Sequence, residues 1–219
     1  MNTLAALTPL LDRLFEEAAA ASPATSPAVA DLSAEERVRL MRSKTEYLDF
    51  YGRLKDCPLP VSRETAVLLY MLARSHGART IVEFGTSFGI STLYLAAALR
   101  DNGGGRLITS EFEPSKVARA RDNLTAGGLM DLVEIREGDA LNTLSVDLPD
   151  TVDLLLLDGA KALYREILSL VETHLRPGSL ILADDTDHSP DYLARVRSAA
   201  EGYVSVSVMG DVELSMRLG

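Results

Sequence analysis

The chain of 219 residues has no tryptophan, one cysteine and three histidines, and it carries fewer basic than acidic residues. Each scarcity excludes something. A lone cysteine, Cys57, cannot close an internal disulfide, and no charged start followed by an apolar stretch and a small-residue cleavage site is apparent, so a cytoplasmic protein is expected. No apolar run reaches the ~20 residues of a membrane span. Twenty-two Lys and Arg against 32 Asp and Glu give a formal charge of -10. Such a surface repels phosphate, which argues against nucleic acid and anionic lipid as partners and leaves a small molecule. His76 and His174 stand near helix ends as surface residues. His188 lies in a loop that a substrate could reach.

What is present is a hydrophobic fraction of 47%, enough to bury the core of one large α/β domain with an appended segment. Residues 2 to 22 are rich in Ala and Leu and end at SPATSP, where the prolines stop a helix and begin a linker. Ser33 with Glu36 forms a capping-box pattern opening a second helix expected to run to about Tyr51. Ser62 is a helix start, and Gly77 follows the end of that helix. From Thr80 onward apolar strands alternate with helices: TIVEF, LITSEF, LVEIRE, VDLLLLD and SLILAD, the last after a helix near 162 to 175 and a turn at Pro177–Gly178. Near-continuous apolar strands of this kind belong to a parallel sheet covered on both faces. YVSVSV and VELSMRL are too close for a helical crossover and are expected to form an antiparallel hairpin. The expected fold is therefore a doubly wound, mostly parallel seven-stranded sheet at 61–219. It is preceded at 1–60 by a helical segment that caps the site or pairs with a second copy to form a homodimer, because an amphipathic stripe needs somewhere to bury.

IVEFGTSFGIS reads as strand, glycine turn and helix start. Gly85 and Gly89 flank Thr86, Ser87 and Phe88, and Ser87 stands where a dinucleotide fingerprint has its middle glycine. The turn is thus less suited to pyrophosphate, while Glu83 just before it favours a cofactor bearing an ammonium group, as the methionyl part of S-adenosylmethionine does. Glu111 ends the next strand, where nucleotide folds place the acid that grips ribose hydroxyls. That position indicates a nucleoside and leaves NAD and S-adenosylmethionine both open. Gly138, Asp139 and Ala140 complete an adenine edge.

Asp158 closes VDLLLLD, and Asp184 with Asp185 closes SLILADD. Three carboxylates at adjacent strand ends suit a hard divalent cation, Mg²⁺ foremost. Lys161 follows Asp158 by three residues; near a cation its neutral form is favoured, which makes it a candidate base.

The succession VEFGTSFGIS, TSEFEP, EGDAL, DGAK and ADD resembles the class I S-adenosylmethionine-dependent methyltransferases, specifically the metal-dependent O-methyltransferases of the catechol and caffeoyl-CoA type. The likeness covers residues 60 to 219, including SPDYLARVRS and DVELSM at the end. It implies a Rossmann-like sheet and a cofactor held by Glu83, Gly85, Thr86, Ser87, Gly89, Ser91, Glu111, Phe112, Gly138, Asp139, Ala140 and Asp158. It further implies a metal on Asp158, Asp184 and Asp185, catalysis by Lys161 with Asp158, and substrate contacts from Lys161, Asp185 and Glu213, the last holding the hydroxyl that is not methylated. Two departures stand out. Asp185 replaces the family's asparagine, and the tryptophans that wall the animal enzymes' substrate are missing, so the acceptor pocket differs. Phe88, Tyr47, Tyr51 and Tyr164 are the aromatic residues nearest the expected cleft. The expected reaction is methyl transfer to a hydroxyl of a vicinal dihydroxy aromatic. The rivals are a metal-independent methyltransferase for a carboxylate or amine, an NAD-linked oxidoreductase, and a nucleoside-sensing module without catalysis.

Overall fold

A computed structural model describes residues 2–21, 23 and 26–219. The strands are β1 Thr80–Phe84, β2 Arg106–Glu111, β3 Val133–Glu137, β4 Val152–Leu157, β5 Leu175–Ala183, β6 Tyr203–Met209 and β7 Val212–Arg217. They form one sheet in the order β3-β2-β1-β4-β5-β7-β6. The first five pair in parallel, and β7 pairs antiparallel with both β5 and β6. The expected fold is thus the observed one, including the terminal hairpin. Strand alternation explains why both faces are covered. Ile81, Leu107, Leu154, Leu156 and Leu182 enter one core, and Val82, Ile108, Leu155, Leu157 and Ile181 enter the other.

The helices are α1 Thr3–Ala20, α2 Ala34–Met41, α3 Tyr47–Arg53, α4 Arg63–Ser75, α5 Ile90–Asp101, α6 Pro114–Ala126, α7 Ala140–Thr143, α8 Tyr164–Val171 and α9 Pro190–Val196. Helices α1, α4, α5 and α6 contribute to the first core, and α7, α8 and α9 to the second. Leu7, Leu11, Leu14 and Ala18 recur at helical spacing on α1 and are buried, the three leucines within the first core. On α1 that apolar face is therefore covered within the chain, where each buried leucine is worth about 1.5–3 kcal/mol. The segment 1–60 divides in two: α1 joins the main core, whereas Val29, Leu40, Phe50, Leu54 and Cys57 form a small cluster of their own. Part of the expected SPATSP linker, at residues 22, 24 and 25, lies outside the described residues.

Three expectations are corrected here. The helix from Ser33 does not continue to Tyr51 but stops at Met41 and restarts at Tyr47. Ser43 explains the restart, since its hydroxyl accepts from the Glu46 backbone N–H at 3.1 Å and competes with helix continuation. The helix expected over 162–175 is α8 flanked by 3₁₀ turns at Lys161–Leu163 and Glu172–His174. Pro177–Gly178 lies inside β5, where the pairing with β4 slips between Val152 and Leu154 and so absorbs the missing proline N–H.

Candidate active site

The chain leaves β1 toward β2 and β3, then returns through β4 to β5, so the C-terminal ends of β1 and β4 flank the crevice where such sheets bind ligands. Gly85 and Asp158 meet there. Gly85 has φ +101°, and a Cβ on it would stand 2.6 Å from the Asp158 carbonyl oxygen, so only glycine permits this approach. Asp158 in turn donates its N–H to the Phe84 carbonyl at 2.9 Å.

Two cavities open at this point. The first, of about 570 Å³, is walled by Gly85, Ser87, Glu111, Phe112, Gly138, Asp139, Ala140 and Asp158, eight of the residues expected to hold a cofactor. Ser87 has φ 46° and donates its backbone N–H to Glu111 Oε2 at 2.8 Å, while Glu113 N–H donates to Oε1 at 3.0 Å. The Glu111 carboxylate is thereby aimed from two sides, although burial pushes it above the usual carboxylate range. Glu83, Thr86, Gly89 and Ser91 stand behind this wall. Glu83 is fully buried and accepts from Ser91 and Thr92 hydroxyls, each at 2.6 Å. Burial pushes its carboxyl up to about 7. Thr86 shares a hydrogen with Thr109, and Gly89, at φ 82°, starts α5. These four shape the turn from beneath.

The second cavity is an open hollow of about 1510 Å³ between the N-terminal segment and the strand ends, with Asp158, Gly159, Lys161, Asp184 and Asp185 on its floor. Tyr51, Leu59, Asp158 and Gly159 belong to both cavities, so a donor in one and an acceptor in the other would meet across them. Lys161 is buried and bridges two acids, 2.8 Å from Asp158 Oδ1 and 3.2 Å from Asp185 Oδ2. Burial alone would lower its pKa, but Asp158, Tyr164, Asp185 and Tyr51 together hold the ammonium well above the usual range. The neutral lysine expected beside a cation is thus absent from the protein's own charge balance. Asp184 is pushed up to about 8 by burial and by the Asp158 charge. Among the described residues no three acids or histidines converge as a ready coordination set, because the Lys161 ammonium stands between Asp158 and Asp185. The donor chemistry nevertheless fits a hard divalent ion: all three groups are carboxylates, and an ion there would favour the ionised form of Asp184 that burial and Asp158 now disfavour.

Glu213, expected at the substrate, is placed elsewhere. It lies opposite Ala183 on β7, buried, and is gripped by Arg197 at 2.8 and 2.7 Å and by the Ser205 hydroxyl at 2.6 Å. It lines neither cavity. Among the aromatic residues, Tyr164 is buried and donates to the Asp184 carbonyl at 2.8 Å, and Tyr47 donates from α3 to Asp139 at 2.9 Å. His188 sits in the turn after Asp185, outside both linings.

Residues 27–60 form a roof that sequence reasoning did not fasten. Besides Tyr47–Asp139, Leu59 N–H donates to Ser87 Oγ at 3.0 Å, Arg42 to the Asp187 carbonyl at 3.0 Å, and Lys44 pairs with Glu166. Lys116 was also missed. It is buried on the wall of the first cavity near Glu111, and burial lowers its pKa.

Residues 82–186 match the family model described as a methyltransferase domain. The catechol O-methyltransferase of Niastella koreensis is 36% identical over 130 residues, 58% of each chain. That of Mycobacterium tuberculosis is 32% identical over 136 residues, 62% of this chain and 61% of its own length. The chain thus spans about three fifths of the length of these relatives. In structure it is similar to an O-methyltransferase from Bacillus cereus in complex with SAH, with a TM-score of 0.67, 22% identity, and coverage of 90% of this chain and 97% of that one. It also resembles an O-methyltransferase from Streptomyces achromogenes in complex with SAM, with a TM-score of 0.66, 24% identity, and coverage of 88% and 94%. The fold is that of the Rossmann-like methyltransferases. Residues 82–186 are a methyltransferase domain, and its kinship in sequence runs to the catechol O-methyltransferases.

Proposed function

We propose that this chain is an S-adenosylmethionine-dependent O-methyltransferase acting on a vicinal dihydroxy aromatic, with Lys161 as base and a divalent cation, Mg²⁺ foremost, held by Asp158, Asp184 and Asp185. The observation that carries this reading is the meeting of two cavities at Asp158 and Gly159 with Lys161 on the floor. The first cavity takes the nucleoside, its ribose hydroxyls donating to the aimed Glu111 carboxylate and its adenine lying against Gly138, Asp139 and Ala140. Gly85 brings the backbone turn against Asp158, which brings the methyl group to the cavity junction. The second cavity takes the acceptor ring beneath the apolar roof.

A divalent ion on the three carboxylates supplies Lewis acidity to the acceptor hydroxyls. Tied to Asp158 and Asp185, the Lys161 ammonium orients an acceptor oxygen; an ion drawing those two carboxylates to itself would let Lys161 give up its ammonium proton to solvent, and the neutral amine would then take the hydroxyl proton. The oxygen then attacks the sulfonium methyl in line, forming the O–C bond as the C–S bond breaks and S-adenosylhomocysteine leaves. Positioning and water exclusion supply the rest of the rate.

The Lys161–Asp185 bridge favours a second reading, a metal-independent methyltransferase in which the fixed ammonium binds a carboxylate acceptor. One assay separates the two. Under the first reading, methyl transfer from S-adenosylmethionine to a catechol ring is lost in chelator and restored by Mg²⁺, and Lys161→Met abolishes it. Transfer that survives chelation and prefers a carboxylate establishes the second.

A further inference from the structure

Glu213 is held by Arg197 and Ser205 and lines neither cavity, so a dihydroxy acceptor needs another group for its second oxygen. The roof supplies one. Tyr51 on α3 lines both cavities, and its ring is fixed edge-on against Phe50 at a centroid distance of 5.1 Å. Its hydroxyl is buried and has no hydrogen-bond partner. Tyr47, Tyr70, Tyr164 and Tyr203 each donate to a carboxylate or carbonyl within the chain. Tyr192 is unpaired as well, but it lines neither cavity. Among the described residues on the two cavity walls, Tyr51 alone has a buried polar atom left unpaired. The Lys161 backbone N–H lies near the phenol oxygen without reaching hydrogen-bond geometry, and Lys161, Asp185 and Asp158 are the charges that act on it. A buried hydroxyl without a partner is destabilising. In the wall of a binding cavity its partner can arrive with the ligand.

We propose that Tyr51 binds the acceptor, its hydroxyl donating a hydrogen bond to the acceptor oxygen that is not methylated. This rests on the O-methyltransferase reading above. The oxygen to be methylated then lies at Lys161 and its neighbour under α3, so the roof fixes which of two adjacent hydroxyls faces the methyl group. Tyr51 is a specificity-determining residue, and phenylalanine in its place keeps the ring that walls the donor cavity while removing only the hydroxyl.

The test is Tyr51→Phe, assayed with 3,4-dihydroxybenzaldehyde and with 3-hydroxybenzaldehyde. The expected result is a KM for the dihydroxy compound raised about tenfold, the size of one lost hydrogen bond. The ratio of 3-O to 4-O product moves toward one, and the KM for the monohydroxy compound is unchanged. The dissociation constant for S-adenosylhomocysteine stays the same, and Tm stays the same or rises, since the hydroxyl has no internal partner to lose. An unchanged KM and product ratio overturn the proposal. So does a clear fall in Tm, which would reveal a partner within the fold. If the unaltered protein binds S-adenosylhomocysteine yet methylates neither compound, the functional reading fails, and the role of Tyr51 fails with it.

Discussion

Replacing Gly85 by alanine tests whether the crevice depends on the close approach of β1 and β4. Two costs add. An L-residue at φ +101° is strained by about 1–3 kcal/mol. The new Cβ would lie 2.6 Å from the Asp158 carbonyl oxygen and 2.7 Å from Gly159 N, backbone atoms that cannot rotate aside, and such overpacking costs about 1–3 kcal/mol more. Gly104 separates the two contributions, because its φ is +102° and nothing lies within 4 Å of a Cβ there. Gly104→Ala should therefore show the strain alone. In a chain of this length each kcal/mol moves Tm by about 2–4 °C, so Gly85→Ala should melt lower than Gly104→Ala by roughly 2–12 °C. Because the collision pushes Asp158 away, Gly85→Ala should also bind S-adenosylhomocysteine at least tenfold more weakly, whereas Gly104→Ala binds it as before. Differential scanning fluorimetry and calorimetric titration read both effects. Equal melting temperatures and equal affinities for the two variants would refute the reasoning.

Glu83→Gln should alter the pH dependence of stability. With the folded carboxyl at about 7 against an ordinary 4.5, the unfolded chain loses this proton first as pH rises. Glu83 therefore weakens the fold progressively between pH ~4.5 and ~7, by about 3 kcal/mol in all, and adds nothing further above that. Denaturant melts from pH 4 to 8 should show the variant gaining on the original protein by that order; parallel curves would sink the idea. Asp184, pushed up to about 8, holds its proton at pH 7, so binding of Mg²⁺ should release one proton per ion and tighten as pH rises toward 8. Calorimetric titrations at pH 7 in buffers of different ionisation enthalpy should give different heats, and identical heats would contradict it.

Much of this was legible from residue order, for physical reasons. Runs such as VDLLLL, six residues long in a chain that alternates them with helical stretches, suit strands buried on both faces, and three residues between YVSVSV and VELSMRL leave no room for a crossover, so strand pairing was constrained by residue order. Caps at Ser33 and Ser62 are local chemistry and were readable; each hydroxyl accepts the N–H three residues on. The break at Ser43 was equally local but was masked by the apolar spacing that continues across it. What could not be read is long-range. Tyr47 finds Asp139 across 92 residues, and Leu59 finds Ser87 across 28. Neither contact leaves a periodic trace. The same limit applies to Glu213: its place in β7 was readable, but the side chain is claimed by Arg197 on the turn after α9. Lys161 was assigned a base's role from its spacing to Asp158, while its second partner, Asp185, comes from another strand end and holds the proton on.

The roof formed by residues 27–60 has a kinetic consequence. On the proposed reading a nucleoside seated against Asp139 would lie beneath α3, the same tyrosine-bearing helix that overhangs the open acceptor hollow. Release of spent donor would then be slowed by the contacts that tie this roof to Asp139, Ser87, Asp187 and Glu166. Turnover is then paced by unlatching, and the first round of product should appear faster than every round that follows it.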